Sequence, residues 1–197
     1  YEGSIFAGRM KMDGVGSTAL QRGLDALNPK KLQSGKYNII VENTVSSKMV
    51  SPILSALSGG NLQQSNSFLK DTLGTKVFGD NVTIVDRPHT PGMAGARWFD
   101  DNGVATADRD IIRNGVVNSY FISDYYARKM NIPATISGAS VLRFPNASGI
   151  DGKALNLQDI MKAVGNGILI TDFNGGNYNR ATGDFSYGVV GFLFENG

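Results

Sequence analysis

The chain has no cysteine, one histidine and one tryptophan in 197 residues. The missing cysteine excludes disulfides, thiolate zinc sites, iron–sulfur clusters and a cysteine nucleophile. It suits a cytoplasmic protein, and the cytoplasm is the expected location. The single histidine, His89, excludes the two-histidine helix of a zinc protease. Charge is also sparse: 18% of residues are Asp, Glu, Lys or Arg, and the formal net charge is +2. So weak a balance argues against direct nucleic-acid binding, which concentrates Lys and Arg on one face. The densest basic stretch, Lys30, Lys31 and Lys36, lies beside Pro29 and Ser34–Gly35 and reads as a solvated turn. No apolar run approaches the roughly 18 residues of a membrane-spanning helix, so no membrane partner is expected.

What is present is glycine, at 25 residues, well above the usual share of about 7%. With an ordinary hydrophobic fraction of 41%, this favours a turn-rich sheet protein with enough chain to bury a core without staples. The expected fold class is α+β, with largely antiparallel, Gly-rich twisted sheets and a few short helices.

Periodicity places the elements. Tyr1 to Met12 looks extended. Asp13 reads as the N-cap of a helix carrying Val15, Ala19, Leu20, Leu24 and Leu27, which Pro29 and Gly35 close. Tyr37 to Glu42 is strand-like. Met49, Ile53 and Leu57 repeat at helical spacing, but Pro52 sits among them. Either Ser51 caps a short helix from Pro52 or the helix kinks there; Gly59–Gly60 ends it. Asn81 to Asp86 is a strand. Arg109 to Phe121 reads as a hairpin about Asn114–Gly115. Ser123 opens a short helix through Lys129. Ile132 to Gly152 is mostly loop, with a strand signal at Val141 to Phe144. Asn156 caps a helix through Val164, which Gly165 or Gly167 stops. Ile168 to Phe173 is a buried-type strand, Asn174 to Asp184 a loop, and Phe185 to Glu195 a long strand. The first segment begins in strand character, and the last runs into Asn196–Gly197 with no return strand. The chain therefore reads as a piece of a longer protein, cut at both ends. No repeat of 20–50 residues appears.

The most informative stretch is Thr83 to Lys129, because it holds His89, Trp98, two prolines and an acidic cluster in one long loop before the hairpin. Long loops in compact domains are functional or disordered, and this one carries too many large apolar residues for disorder. His89, between Pro88 and Pro91, reads as a structural or surface histidine. Asp100–Asp101–Asn102–Gly103 lacks the ligand spacing of a calcium loop and reads as a tight turn with Gly103 at positive φ. Gly14-Val15-Gly16-Ser17 lacks the Lys-Ser/Thr of a P-loop and reads as a helix start. Ser137 has no nucleophile-elbow context. Gly175 to Asn179 reads as a loop that can approach a backbone closely. No catalytic apparatus is visible.

Several segments, in this order, carry a family resemblance: SALSGG (Ser55 to Gly60), SFLKDTLG (Ser67 to Gly74), TIVDRPH (Thr83 to His89) and FDDNGVAT (Phe99 to Thr106). RNGVVNSYFISDYYARK (Arg113 to Lys129), TGDFSYGVVGF (Thr182 to Phe192) and the final ENG (Glu195 to Gly197) follow. The chain resembles the C-terminal part of the PmbA/TldD family, long labelled modulators of DNA gyrase. Ala134 to Ile150 departs from the family pattern. The resemblance implies a single C-terminal region over 1–197, with 1–36 belonging to the end of a preceding region. It also implies a heterodimeric protease acting on unfolded or modified peptides. The TldD branch holds a metal on a His-Glu-x-x-x-His helix and a further cysteine. The corresponding segment here, SSKMVSPILSALSGG (Ser46 to Gly60), has no histidine, glutamate or cysteine. It is similar to the PmbA, or TldE, branch.

The expectation is therefore a non-catalytic subunit with no catalytic residue, no metal ligand and no cofactor of its own, zinc residing in the catalytic partner. Its partner is a TldD-like subunit or a second copy, and its substrate a peptide. Alternatives are a self-associating peptide-binding scaffold and a protein-level modulator of gyrase. Arg87, His89, Arg97, Trp98 and Asp100, in the loop Asp86 to Asp101, are the candidate peptide- or partner-binding residues, because Arg and Trp are enriched at interface hot spots.

Overall fold

The structure is a computed structural model, and it describes residues 5–10, 12–145 and 156–197. Two sheets organise the chain. Strands β1 (Ile39–Val41), β6 (Gly167–Tyr178) and β7 (Phe185–Phe194) form one, in the order β1-β6-β7. Strands β2 (Ile84–Asp86), β3 (Arg109–Arg113), β4 (Val116–Val117) and β5 (Leu142–Arg143) form the other, in the order β4-β3-β2-β5. Every pair is antiparallel except β1 with β6. The helices are α1 (Val15–Asp25), α2 (Ser47–Ala56), α3 (Gly59–Gln63), α4 (Asp124–Met130) and α5 (Leu157–Val164). This is the α+β, largely antiparallel arrangement expected.

The main core lies between the β4-β3-β2-β5 sheet and the end of α2. Ala56, Leu57, Leu69, Ile84, Ile111, Ile112, Val117 and Phe121 are buried together, with Ile53, Leu54 and Phe78 packed against them. Burying such side chains stabilises the fold by about 1.5–3 kcal/mol each. The β3–β4 hairpin turns at Asn114 (φ 49°) and Gly115 (φ 81°), the two positive-φ positions of a type I′ turn. A Cβ on Gly115 would stand 2.1 Å from the Phe78 carbonyl oxygen, so glycine is required there twice over.

Four local expectations are corrected. Residues 5–10 form bends and a 3-10 turn at Ala7–Arg9 rather than an extended segment. The N-cap of α1 is Gly14 in the left-handed region, not Asp13. Gly59–Gly60 do not end α2; they open α3 after the Ser58 cap position. Gly59 is small because a Cβ there would meet the Tyr126 Cβ at 2.9 Å. Finally, β6 runs on to Tyr178 through what reads as a loop, absorbing glycines by register shifts at Ile170/Asp172 and Asn174/Asn177. Its sequence suggests burial, yet only Gly167 and Ile170 are fully buried in it.

Pro52 neither starts nor breaks α2; it sits within it. The Ser51 hydroxyl donates to the Ser47 carbonyl at 2.7 Å. The β6–β7 hairpin docks on this helix: Tyr187 Oη donates to the Lys48 carbonyl, and Tyr178 Oη and Arg180 Nε reach Ser55 Oγ at 3.3 and 3.4 Å. Hydrogen bonding to Ser55 holds the Tyr178 phenol below its ordinary pKa, against desolvation. The Asn156 side chain accepts from the Asp159 N–H at the start of α5, as its sequence predicts. By contrast α1, though amphipathic in sequence, buries nothing: Leu20 and Leu24 are exposed. No helix among the described residues is long and apolar enough to cross a membrane.

Candidate functional site

The loop after β2 is held from beneath by one buried carboxylate. Asp86 ends β2 with a fully buried side chain. It accepts from the backbone N–H groups of Ser140 and Val141, the latter at 2.7 Å, and from Arg109 Nη2 at 3.3 Å. Arg109 also donates to the Gly138 carbonyl and lies 5.0 Å over the Phe121 ring. Burial pulls the Arg109 guanidinium below its ordinary pKa and Asp86 pushes back. Arginine still stays charged, because its reference value is so high. Its Nε is buried and makes no hydrogen bond among the described residues. A buried ion pair of this kind holds its shape because separating it strands a charge.

On that base the loop folds back as a small hairpin. Asp100 N–H donates to the Val104 carbonyl, and Thr106 N–H to the Trp98 carbonyl. The turn Asp100 to Gly103 is tight, with Gly103 at φ 77°. The Asp100 carboxylate, only 3% exposed, accepts from the N–H groups of Asn102, Val104 and Ser137. Burial raises its pKa, but those backbone bonds outweigh it and hold the group below the ordinary carboxylate range. Gly95 is the close-approach point: a Cβ there would stand 2.2 Å from the Ser140 carbonyl oxygen.

All five candidate residues come together here, but they do different work. Arg87 donates to the Asp86 and Arg109 carbonyls and pairs with Asp108 and Asp110. Arg97 donates to Ser140 Oγ at 2.9 Å and to the Gly138 carbonyl at 3.3 Å. Arg87, Arg97 and Asp100 thus hold the loop in shape. His89 and Trp98 face outward. Their rings stack with centroids 4.2 Å apart, and Trp98 is 71% exposed, with Phe99 beside it in sequence also exposed.

The hydrogen bonds also fix the histidine tautomer. Thr106 has one hydroxyl proton, and it is given to the Arg97 carbonyl at 2.6 Å. Thr106 Oγ1 is therefore the acceptor in its 3.0 Å contact with His89 Nε2. Nε2 therefore carries a hydrogen, and in the neutral imidazole Nδ1 is the acceptor. The exposed surface is thus an aromatic platform that includes one imidazole. Sequence reasoning missed Asp86 and Arg109. The signal was there: an acid closing an apolar strand and a base opening its neighbour.

The donor chemistry of these residues does not fit a metal. The Asp86 and Asp100 oxygens are taken by N–H groups and a guanidinium, and His89 offers one nitrogen. Among the described residues no three His, Cys, Asp or Glu side chains stand together as a metal site requires.

Comparison with known proteins gives the family of the chain. The family model of the PmbA/TldA metallopeptidase C-terminal domain matches residues 34–197. A Haemophilus influenzae protein named metalloprotease PmbA homolog is 34% identical over 186 residues, covering 93% of this chain and 40% of that protein. The Escherichia coli metalloprotease PmbA is 32% identical over 183 residues, with the same coverage, 93% and 40%. The chain thus spans about two fifths of the length of these relatives. Among solved structures, a Bacteroides thetaiotaomicron protein titled as a candidate modulator of DNA gyrase superposes with a TM-score of 0.92 at 47% identity, covering 99% of this chain and 43% of that one. TldE from Thermococcus kodakarensis shares the fold, with a TM-score of 0.76 at 22% identity over 95% of this chain and 45% of that one. With its motifs, its sheets and its matched residues in agreement, the chain belongs to the PmbA/TldD metallopeptidase family.

Proposed function

We propose that this chain is the C-terminal part of a non-catalytic, PmbA/TldE-type subunit of a cytoplasmic TldD/TldE-like metalloprotease that acts on unfolded or modified peptides. The observation that carries the reading is the chemistry of α2 and its surroundings. The Ser46 to Gly60 segment offers no imidazole, carboxylate or thiolate, and the buried carboxylates nearest the loop hairpin are spent on N–H groups. A catalytic zinc takes three protein ligands and keeps an open position for water. In this reading the partner supplies the metal, and this subunit supplies enclosure and peptide positioning, with the His89–Trp98 platform as the contact face.

The test compares the full-length protein alone and with a partner carrying His-Glu-x-x-x-His. Alone it is expected to retain no tightly held zinc by elemental analysis and to cleave no unfolded peptide. Mixed with the partner, it supports cleavage. Metal-dependent cleavage by this protein alone, after rigorous removal of contaminating proteases, overturns the proposal. A second reading, self-association without a protease partner, is favoured by β7, which among the described residues lies at the edge of its sheet and exposes Val189, Phe192 and Leu193. Light scattering on the full-length protein separates the two readings.

A further inference from the structure

A cleft of about 660 Å³, lined by none of the loop hairpin's own residues, lies between the 70–73 turn, the 118–122 segment and the end of α4. That volume lies in the range of ligand sites, roughly 300–1,000 Å³. Its lining is mainly apolar, with Leu62, Ile122, Met130, Ile132 and Pro133 contributing. Two lysines, Lys70 and Lys129, and one acid, Asp71, supply its charge. Neither lysine pairs with a carboxylate among the described residues: Lys70 Nζ donates to Ser65 Oγ at 2.9 Å, and Lys129 Nζ lies 5.7 Å over the Tyr125 ring.

The walls are preformed. Tyr120 Oη donates to the Leu69 carbonyl at 2.7 Å and accepts from the N–H groups of Thr72 and Leu73. One phenol thereby fixes the turn that carries Lys70 and Asp71, with Asp71 held at φ 60°, a region a non-glycine residue enters at a cost. On the other side, Thr135 Oγ1 donates to the Tyr120 carbonyl and accepts from the Ile122 N–H. A rigid apolar cleft with surplus positive charge at its edge is complementary to an apolar side chain followed by a carboxylate.

We propose that this cleft binds a peptide segment through one large apolar side chain flanked by an acidic residue. The proposal rests on the peptide-handling reading above and names the substrate chemistry for it. The lysines select by charge, and the apolar floor supplies most of the affinity.

Three labelled Gly/Ser peptides carrying Leu-Glu, Leu-Lys or Ser-Glu at their centre provide the test, by fluorescence anisotropy on the full-length protein alone. Leu-Glu is expected to bind about fivefold more tightly than Leu-Lys, the size of one partly screened ion pair. It should bind about tenfold or more tightly than Ser-Glu, which lacks the apolar group. Lys70→Glu with Lys129→Glu should reverse the Leu-Glu/Leu-Lys preference. Ile132→Asp, at a residue already 40% exposed, should abolish binding while circular dichroism and melting stay unchanged. Equal binding of the three peptides, or binding indifferent to both variants, overturns the proposal. So does a change in sedimentation without peptide binding, which assigns the cleft to a second copy. Peptidase assays of the assembled complex run in parallel: active complex with cleft-independent binding sinks this proposal alone, whereas selective binding without any complex sinks the subunit reading alone.

Discussion

Tyr187 supplies the hydrogen bond that Pro52 withholds. A proline has no N–H to give the carbonyl four residues before it, and that carbonyl belongs to Lys48. The Tyr187 hydroxyl donates to it at 3.4 Å. The proline in α2 and the tyrosine in β7 are thus one feature, which joins the helix to the β6–β7 hairpin. Tyr187→Phe is expected to cost about 0.5–1.5 kcal/mol, and Pro52→Ala to make the same substitution less costly, because the helix then satisfies Lys48 itself. A double-mutant cycle by urea unfolding measures this coupling; additive effects would contradict it.

The platform on the loop hairpin separates association from folding. Trp98 is largely exposed and His89 is a surface residue, so Trp98→Ala and His89→Ala should each cost less than about 1 kcal/mol in stability. Either substitution should weaken complex formation or peptide cleavage. Arg97→Ala is the contrasting variant. It releases Ser140 and the Gly138 carbonyl and should lower the melting temperature as well. Isothermal titration with the partner and thermal melts on the same samples distinguish the two classes.

Asp100 gives the loop a dependence on acid. Its carboxyl is held below the ordinary value in the folded chain, so the unfolded chain takes up the proton first. The stability it contributes is complete above the unfolded value of about 3.9 and is lost as pH falls through the lower folded value. Asp100→Asn places an amide donor against at least one of the N–H groups of Asn102, Val104 and Ser137. It should destabilise by about 1–3 kcal/mol at pH 7, and the gap to the parent should narrow towards pH 2. Denaturant midpoints across that range check the sign.

Removing Arg109 leaves the fully buried Asp86 without its cation. Arg109→Met should cost about 3–5 kcal/mol, a large part of a typical domain's stability. The damage should be greatest in the segment 138–141, which Asp86 and Arg109 hold together. Hydrogen exchange at the Ser140 and Val141 amides, both bonded to Asp86, reads this directly.

The sequence by itself determined what depends on neighbours along the chain. Asn114–Gly115 specifies its turn because both residues tolerate positive φ. Asn156 specifies its helix start because its side chain reaches a free N–H three residues on. The absence of histidine, glutamate and cysteine from Ser46 to Gly60 is likewise a property of the residues alone. The candidate loop was legible as a place, from its length and its mix of Trp, His and Arg. Tertiary structure decided everything that rests on distant partners. It spent Arg87, Arg97 and Asp100 on holding the loop and left His89 and Trp98 outward. It brought Asp86 to the amides of Ser140 and Val141, and Tyr187 to the Lys48 carbonyl across 139 positions. It also left the stripe on α1 exposed and carried β6 through a run of glycines, because strand pairing with β7 outweighs the weak local preference of those residues. Propensity and capping act over a few residues, whereas burial and hydrogen-bond satisfaction are settled only when the whole chain has chosen its neighbours.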